Sequence, residues 1–106
     1  MGGSRTDLEE IIVDFLKDAP LQLAMMEEAR AAGDNQGLRR CAHSLKSNAR
    51  DLGAMTWADY CAALERDAER VGDVPDAKSR ISVIVALWPQ VRAALEAELH
   101  EGQAES

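Results

Sequence analysis

Apolar side chains recur every three or four residues along most of this chain, which is the spacing of one face of an α-helix. We predict five helices, over residues 6–17, 19–32, 35–52, 56–71 and 75–100. Asp18 and Pro20 predict the first break, because aspartate favours a helix N-cap and proline is tolerated in a first turn. Glycines at 33 and 53 and the stretch 72–75 predict the other breaks. Pro89 predicts a kink or a break within the last helix.

The loops between these helices are short, so consecutive helices are expected to pack antiparallel. The predicted fold class is all-α: an up-down-up-down antiparallel four-helix bundle with an additional N-terminal helix. Residues 5–101 would form this one bundle, and residues 1–4 and 102–106 are predicted to be disordered tails. A length of 106 residues suits a single domain, and an aromatic content of 4% predicts an aliphatic core.

The third predicted helix separates apolar from polar side chains most clearly. Its apolar positions step by four and three residues, at Leu38, Ala42, Leu45, Ala49 and Leu52. Its opposite face carries Arg39, His43, Lys46, Ser47 and Arg50. A histidine in this position is exposed to solvent and surrounded by cations. Such an imidazole is suited to act as a nucleophile towards a phosphoryl group rather than as a core residue.

Charge is distributed unevenly along the chain. The formal net charge of −7 argues against nucleic acid and anionic membranes as partners. The segment from Asp34 to Gly53, however, carries four cations and two acids, so the rest of the chain holds −9. The one basic helix is therefore the helix that contains His43. It would attract an acidic pocket or a phosphoryl group.

The sequence around His43 resembles the signature of histidine-containing phosphotransfer (Hpt) domains. It runs Ala42-His43-Ser44-Leu45-Lys46-Ser47-Asn48-Ala49-Arg50-Asp51-Leu52-Gly53-Ala54. The family pattern is alanine-histidine, a small residue, leucine-lysine, a second small residue and a later Gly-Ala. Segments at 15–20, 32–34 and 61–65 are also similar to the family, in the same order. The resemblance covers about residues 8–72 without a gap, and the last helix matches by type only.

This resemblance implies that His43 accepts a phosphoryl group from the aspartate of a response-regulator receiver domain. His43 would then pass the group to another receiver aspartate in two-component signalling. Lys46, one helical turn further on, would neutralise the phosphoryl oxygens. Glu65 lies one position off the apolar stripe of the fourth predicted helix. In the family's arrangement it would accept the Nδ1 proton of His43 and leave Nε2 as the nucleophile.

The resemblance also implies a partner-binding face, to which we assign Arg39, Ser47 and Arg50. The family commonly has glycine where this chain has Ser47, and serine is small enough to allow close approach of a receiver. The implied partners are response-regulator receiver domains, a hybrid histidine kinase, or both. Mg²⁺ is expected in the receiver's acidic pocket, with no cofactor or metal held by this chain. The sequence has no glycine-rich phosphate loop, so we expect a carrier without kinase activity. The resemblance implies a monomer, and we expect it in the cytoplasm because no signal peptide is visible.

Two functions of other classes remain open. One is a helical adaptor that binds signalling partners without being phosphorylated, which the intact His43 and Lys46 disfavour. The other is a metal-binding four-helix bundle, which is disfavoured because the inward positions are apolar and lack a Glu-x-x-His pair. Cys41 and Cys61 border apolar stripes, and we interpret them as buried hydrophobic residues in a reducing cytoplasm.

Overall fold

Four helices account for nearly all of the chain in the computed structural model. It describes the backbone of residues 3–70 and 74–105 and the side chains of residues 7–70 and 74–101. The helices are α1 (Gly3–Ala32), α2 (Asn35–Asp51), α3 (Met55–Ala68) and α4 (Ala77–Glu105), and no strand occurs within those ranges. Each helix packs against its neighbours in chain order, and α4 packs back against α1. The all-α prediction is therefore confirmed, and the core lies at the centre of this ring of helices.

The predicted break at Asp18 is wrong, because α1 continues through Asp18 and Pro20 as a single helix. Its buried residues keep three- and four-residue steps throughout: Ile12, Phe15, Ala19, Leu23, Met26 and Ala29. Ala19, within the predicted break, is fully buried. Burial of this continuous stripe outweighs the roughly 3 kcal/mol that a proline costs inside a helix, and Pro20 itself faces solvent. There is thus no separate N-terminal helix; the predicted one is the first half of α1.

The continuity of α1 changes which of its residues face the core. For residues 19–32 the helical spacing predicts an apolar face of Leu21, Met25, Ala29 and Ala32. In the structure, 63% of the surface of Leu21 and 51% of that of Met25 are exposed. Leu23 and Met26 are buried in their place. Ala29 is buried as predicted, so the predicted face is only partly correct: the buried stripe of the continuous helix reaches Ala29 through Ala19, Leu23 and Met26.

The core is mainly aliphatic, as the composition predicts, and three buried aromatic residues cluster within it. Trp88 on α4 lies 5.6 Å from Phe15 on α1 and 5.5 Å from Trp57 on α3, measured between ring centroids. The indole Nε1 of Trp57 donates a hydrogen bond to the carbonyl of Ile84 at 2.9 Å. This cluster joins three helices. α4 continues through Pro89, so the last helix is not divided there.

The turn between α1 and α2 sets the start of the helix that carries His43. Gly33 adopts a positive φ of 69°, a conformation that glycine reaches without a Cβ penalty, and it ends α1. The carboxylate of Asp34 accepts a hydrogen bond from the Gly37 N–H at 2.9 Å and caps α2. Gly37 is buried beneath this cap. A two-residue connection therefore fixes where α2 begins.

Some predictions fall on residues outside the described ranges. These are the end of the fourth predicted helix at Val71, the break at Gly72 and Asp73, and residues 1, 2 and 106 of the predicted tails. The remaining tail residues continue the backbone of α1 and α4. The up-down-up-down order of the whole bundle stays a prediction. Within the described ranges, none of the helices combines the length and apolarity needed to cross a bilayer.

Candidate functional site

A row of charged residues runs along the outer face shared by α2 and α3. Within the described residues, four pairs connect the two helices: Arg39 with Glu69, His43 and Lys46 each with Glu65, and Arg50 with Asp59. The residue number rises along α2 as it falls along α3, so the two helices are antiparallel. The opposite face of α2 buries Leu38, Ala42, Leu45 and Ala49, as its apolar stripe predicts. His43 is thereby directed away from the core.

His43 lies in the middle of this row, and 54% of its side chain is exposed. Its Nδ1 is 2.7 Å from Oε2 of Glu65. An ionised carboxylate can only accept a hydrogen bond, so Nδ1 carries the proton and donates it to Glu65. Nε2 therefore keeps its lone pair. The structure brings together the histidine and the glutamate that the sequence analysis selected, in a contact that fixes one tautomer.

Glu65 is itself held by two donors. Its second oxygen, Oε1, accepts a hydrogen bond from Nζ of Lys46 at 2.6 Å. Burial alone would raise the pKa of Glu65, but the hydrogen bonds from Lys46 and His43, together with their charges, leave that pKa below its ordinary value. The carboxylate therefore stays ionised at neutral pH, where it can orient the imidazole.

The ion pair between Lys46 and Glu65 was not predicted from the sequence. The sequence analysis directed Lys46 at a phosphoryl group, whereas in the structure only 18% of its side chain is exposed and its ammonium is bound to Glu65. A signal for this contact exists in the spacing. Residues three apart on a helix share a face, so a side chain of α3 that reaches His43 can also reach Lys46.

The three residues assigned to partner binding lie on the same side of α2 as His43. Arg39 is 3.9 Å from Glu69, and Arg50 is 3.9 Å from Asp59. Both guanidinium groups remain about half exposed, so these are weak surface pairs. Ser47 is one turn beyond His43 and partly exposed. The sequence analysis did not identify the acidic partners on α3, which an antiparallel register of α2 and α3 would have indicated.

Neither cysteine takes part in this site. Cys41 and Cys61 are free thiols buried in the core, which confirms their interpretation as small hydrophobic residues. Burial raises the pKa of the Cys61 thiol to about 12, so the reactive thiolate is not formed at neutral pH. Among the described side chains, those of residues 7–70 and 74–101, no group of three or more His, Cys, Asp and Glu is placed to hold a metal ion.

Comparison with known proteins agrees with this geometry. The family model for the Hpt domain matches residues 10–101. The chain therefore belongs to the Hpt domain family, whose members carry phosphoryl groups in two-component signalling, and the resemblance noted in the sequence is confirmed. No curated protein sequence matches the chain.

A solved structure supports the same assignment. The chain is similar to histidine-containing phosphotransfer protein B (HptB) from Pseudomonas aeruginosa PAO1. The two share 31% sequence identity and superpose with a TM-score of 0.80. The alignment covers 88% of this chain and 80% of that one.

Proposed function

We propose that this chain is a phosphorelay carrier in which His43 accepts a phosphoryl group from one receiver aspartate and delivers it to another. The observation that carries the proposal is the double contact of Glu65, which holds Nδ1 of His43 with one oxygen and Nζ of Lys46 with the other. A carboxylate that fixes the tautomer of a half-exposed imidazole prepares Nε2 for attack on an electrophile in a partner. Family membership supports the same chemistry.

In the first transfer, the Nε2 lone pair of His43 attacks the phosphorus of an aspartyl phosphate. The N–P bond forms as the P–O bond to the aspartate breaks, and the aspartate leaves as a carboxylate. Because Nδ1 keeps its proton, the phosphorylated ring carries a positive charge. Glu65, 2.7 Å away, stabilises that charge. The second transfer reverses these bond changes with a different receiver aspartate.

Lys46 neutralises the phosphoryl group by leaving its ion pair with Glu65 and binding the phosphoryl oxygens. In the unphosphorylated chain its ammonium is bound to Glu65. Once the ring of His43 is positively charged, Glu65 interacts more strongly with the ring, and the phosphoryl oxygens offer Lys46 a competing anion one turn away. Lys46 therefore moves from the carboxylate to the phosphoryl group as the N–P bond forms.

The partner completes the reaction. Mg²⁺ in the acidic pocket of the receiver stabilises charge on the transferred group, and the chain contributes the nucleophile and its orientation without kinase activity of its own. Arg39, Ser47 and Arg50 meet the rim of the receiver. The exposed Leu21 and Met25 of α1 add apolar contacts to that face. A hybrid histidine kinase and a separate regulator are the proposed partners of a monomeric cytoplasmic carrier.

The test is transfer of radiolabelled phosphate from a panel of phosphorylated receiver domains to three forms of the chain: wild type, His43→Gln and His100→Gln. Wild type and His100→Gln are expected to acquire acid-labile label, and His43→Gln none. His100 is a matched control because it is an exposed histidine on α4, outside the site. Circular dichroism should show that His43→Gln remains folded, since the replaced ring is half exposed.

The adaptor alternative predicts a different result. If no receiver labels the wild type while at least one binds it, and His43→Gln binds that receiver equally well, the chain is a binding module. Label on His43→Gln equal to that on the wild type would contradict the assignment of His43.

A further inference from the structure

An apolar groove lies at the end of the bundle where the α2–α3 turn meets the second half of α4. It encloses about 460 Å³, a volume within the usual range of ligand sites. The walls include Leu52, Met55 and Trp57 on one side and Val91, Ala94 and Leu95 on the other. The site described above does not use this groove. Leu52 is nine residues from His43, about 13 Å along α2.

The groove exists because the helices have unequal lengths. α2 ends at Asp51 and α3 begins at Met55, whereas α4 continues to Glu105 and α1 begins at Gly3. The longest dimension of the molecule is 51 Å, against about 26 Å for the 17 residues of α2. α1 and α4 therefore extend beyond the turn that connects α2 to α3. Leu8 is one turn before the buried Ile12 and shares its face, yet 40% of its surface is exposed.

The negative charge at the groove end of the bundle indicates which kind of ligand the groove would bind. Glu98 is the only charged residue that lines the groove, and it forms no ion pair within the described part of the chain. Glu101, three residues on, shares its face. Residues 7–14 and 90–101 together contain seven acidic residues and one arginine. A second copy of the chain would bring two strongly acidic ends together, so an occupant that carries positive charge is favoured.

The shape of the groove fits a helix. The lining residues of α4 recur one turn apart, from Gln90 to Ala94 to Glu98, over about 12 Å. A helix that placed apolar side chains at i, i+4 and i+7 against this wall would occupy the space that α2 and α3 leave open. We propose that this groove binds a cationic amphipathic helix of a partner protein, at a site separate from the phosphotransfer face. The proposal does not depend on phosphorylation of His43.

The test uses a fluorescein-labelled 18-residue helical peptide of leucine and lysine, with leucine on one face, and the full chain. A peptide with glutamate in place of lysine is the charge control. Fluorescence anisotropy should show binding of the lysine peptide alone. Ala94→Trp, which fills the groove, should weaken binding at least tenfold. Ala93→Trp, at the adjacent exposed position outside the lining, should change it less than twofold, and His43→Gln should not change it.

Three results would overturn the proposal. The first is that neither peptide binds. The second is that Ala94→Trp and Ala93→Trp bind the lysine peptide as tightly as the wild type does, which would mean that the peptide adheres to acidic surface in general. The third is self-association of the wild type in sedimentation at micromolar concentration, abolished by Ala94→Trp, which would make a second copy the occupant. None of these results bears on the labelling of His43, so the two proposals can fail separately.

Discussion

The two halves of this bundle are built differently. α2 and α3 have 17 and 14 residues, and they carry the charged row that contains His43. α1 and α4 have 30 and 29 residues, each continues through a proline, and they contribute Phe15 and Trp88 to the aromatic cluster. In the first half, the spacing of residues within α2 determines which of its side chains face outward, and the register between α2 and α3 determines which of them meet. In the second half, the outcome depends on packing between distant parts of the chain. The outward position of His43 is therefore encoded locally, whereas the continuity of α1 is not.

Removing the centre of the aromatic cluster should have the largest effect on stability. Trp88→Ala is expected to lower the free energy of unfolding by about 3–5 kcal/mol, because it leaves a cavity between α1, α3 and α4. Tyr60→Ala is the control, since Tyr60 is an exposed aromatic residue on α3 and should cost less than about 0.5 kcal/mol. Urea denaturation measures both. A loss below 1 kcal/mol for Trp88→Ala would mean that the cluster does not hold the halves together.

Pro20→Ala tests whether α1 is one helix. In the interior of a continuous helix, alanine restores a hydrogen bond to the carbonyl of Leu16, and stability should rise by about 2 kcal/mol. In a first turn after a break, the same change would be neutral or slightly destabilising. Pro75→Ala is the control, because Pro75 precedes α4 and should show no gain. A gain equal for both variants would contradict the continuous helix.

The faces of α2 were predicted correctly from the sequence, whereas the continuity of α1 was not. The buried face of α2 and the exposure of His43 could be derived from spacing alone, since residues three and four apart on a helix share a face. The continuity of α1 could not, because a proline is a strong local signal while the burial of Ala19 depends on helices elsewhere in the chain. The position of Glu65 relative to His43 came from family resemblance. Its second contact, with Lys46, required the register between α2 and α3.

Glu65→Gln tests how much the charge of Glu65 contributes to phosphoryl transfer. The amide can still accept the Nδ1 hydrogen bond of His43, but it carries no charge to stabilise the phosphorylated ring. Phosphoryl transfer is expected to slow by about tenfold, which corresponds to about 1.4 kcal/mol. Glu69→Gln is the control, because Glu69 lies one turn beyond Glu65, directly after the last residue of α3, and is exposed. Rates from a labelled receiver measure both. Equal rates for Glu65→Gln and wild type would show that the charge of Glu65 does not stabilise the phosphorylated ring.

The same variant has a pH signature. Because the pKa of Glu65 is lowered in the folded chain, its ionisation stabilises the fold above the ordinary carboxyl value of 4.5. That contribution is lost as the pH falls through the lowered pKa. The unfolding free energy of the wild type, relative to Glu65→Gln, should therefore be larger at pH 6 than at pH 3. A difference that does not vary with pH would contradict the pair of hydrogen bonds described for Glu65.

The smallest effects on stability and transfer rate are expected from replacing exposed arginines with glutamine, a substitution that can be made both on α2 and on α4. Arg39→Gln and Arg50→Gln each break a 3.9 Å surface pair on the site face, and Arg92→Gln breaks a 3.8 Å pair with Glu96 on α4. All three should change stability by less than about 0.5 kcal/mol. Only the first two should slow transfer from an acidic receiver at low salt, by about twofold to fivefold, with the difference vanishing at high salt.

Stopped-flow transfer rates at several salt concentrations distinguish a local from a global effect of charge. All three variants make the net charge more negative by one unit, so steering by net charge alone would slow transfer equally in all of them. Steering by the row on α2 and α3 would leave Arg92→Gln at the wild-type rate, because the attraction is felt mainly within a Debye length of about 10 Å at 0.1 M salt. Equal slowing by Arg92→Gln would therefore show that the site face has no special role in meeting the partner.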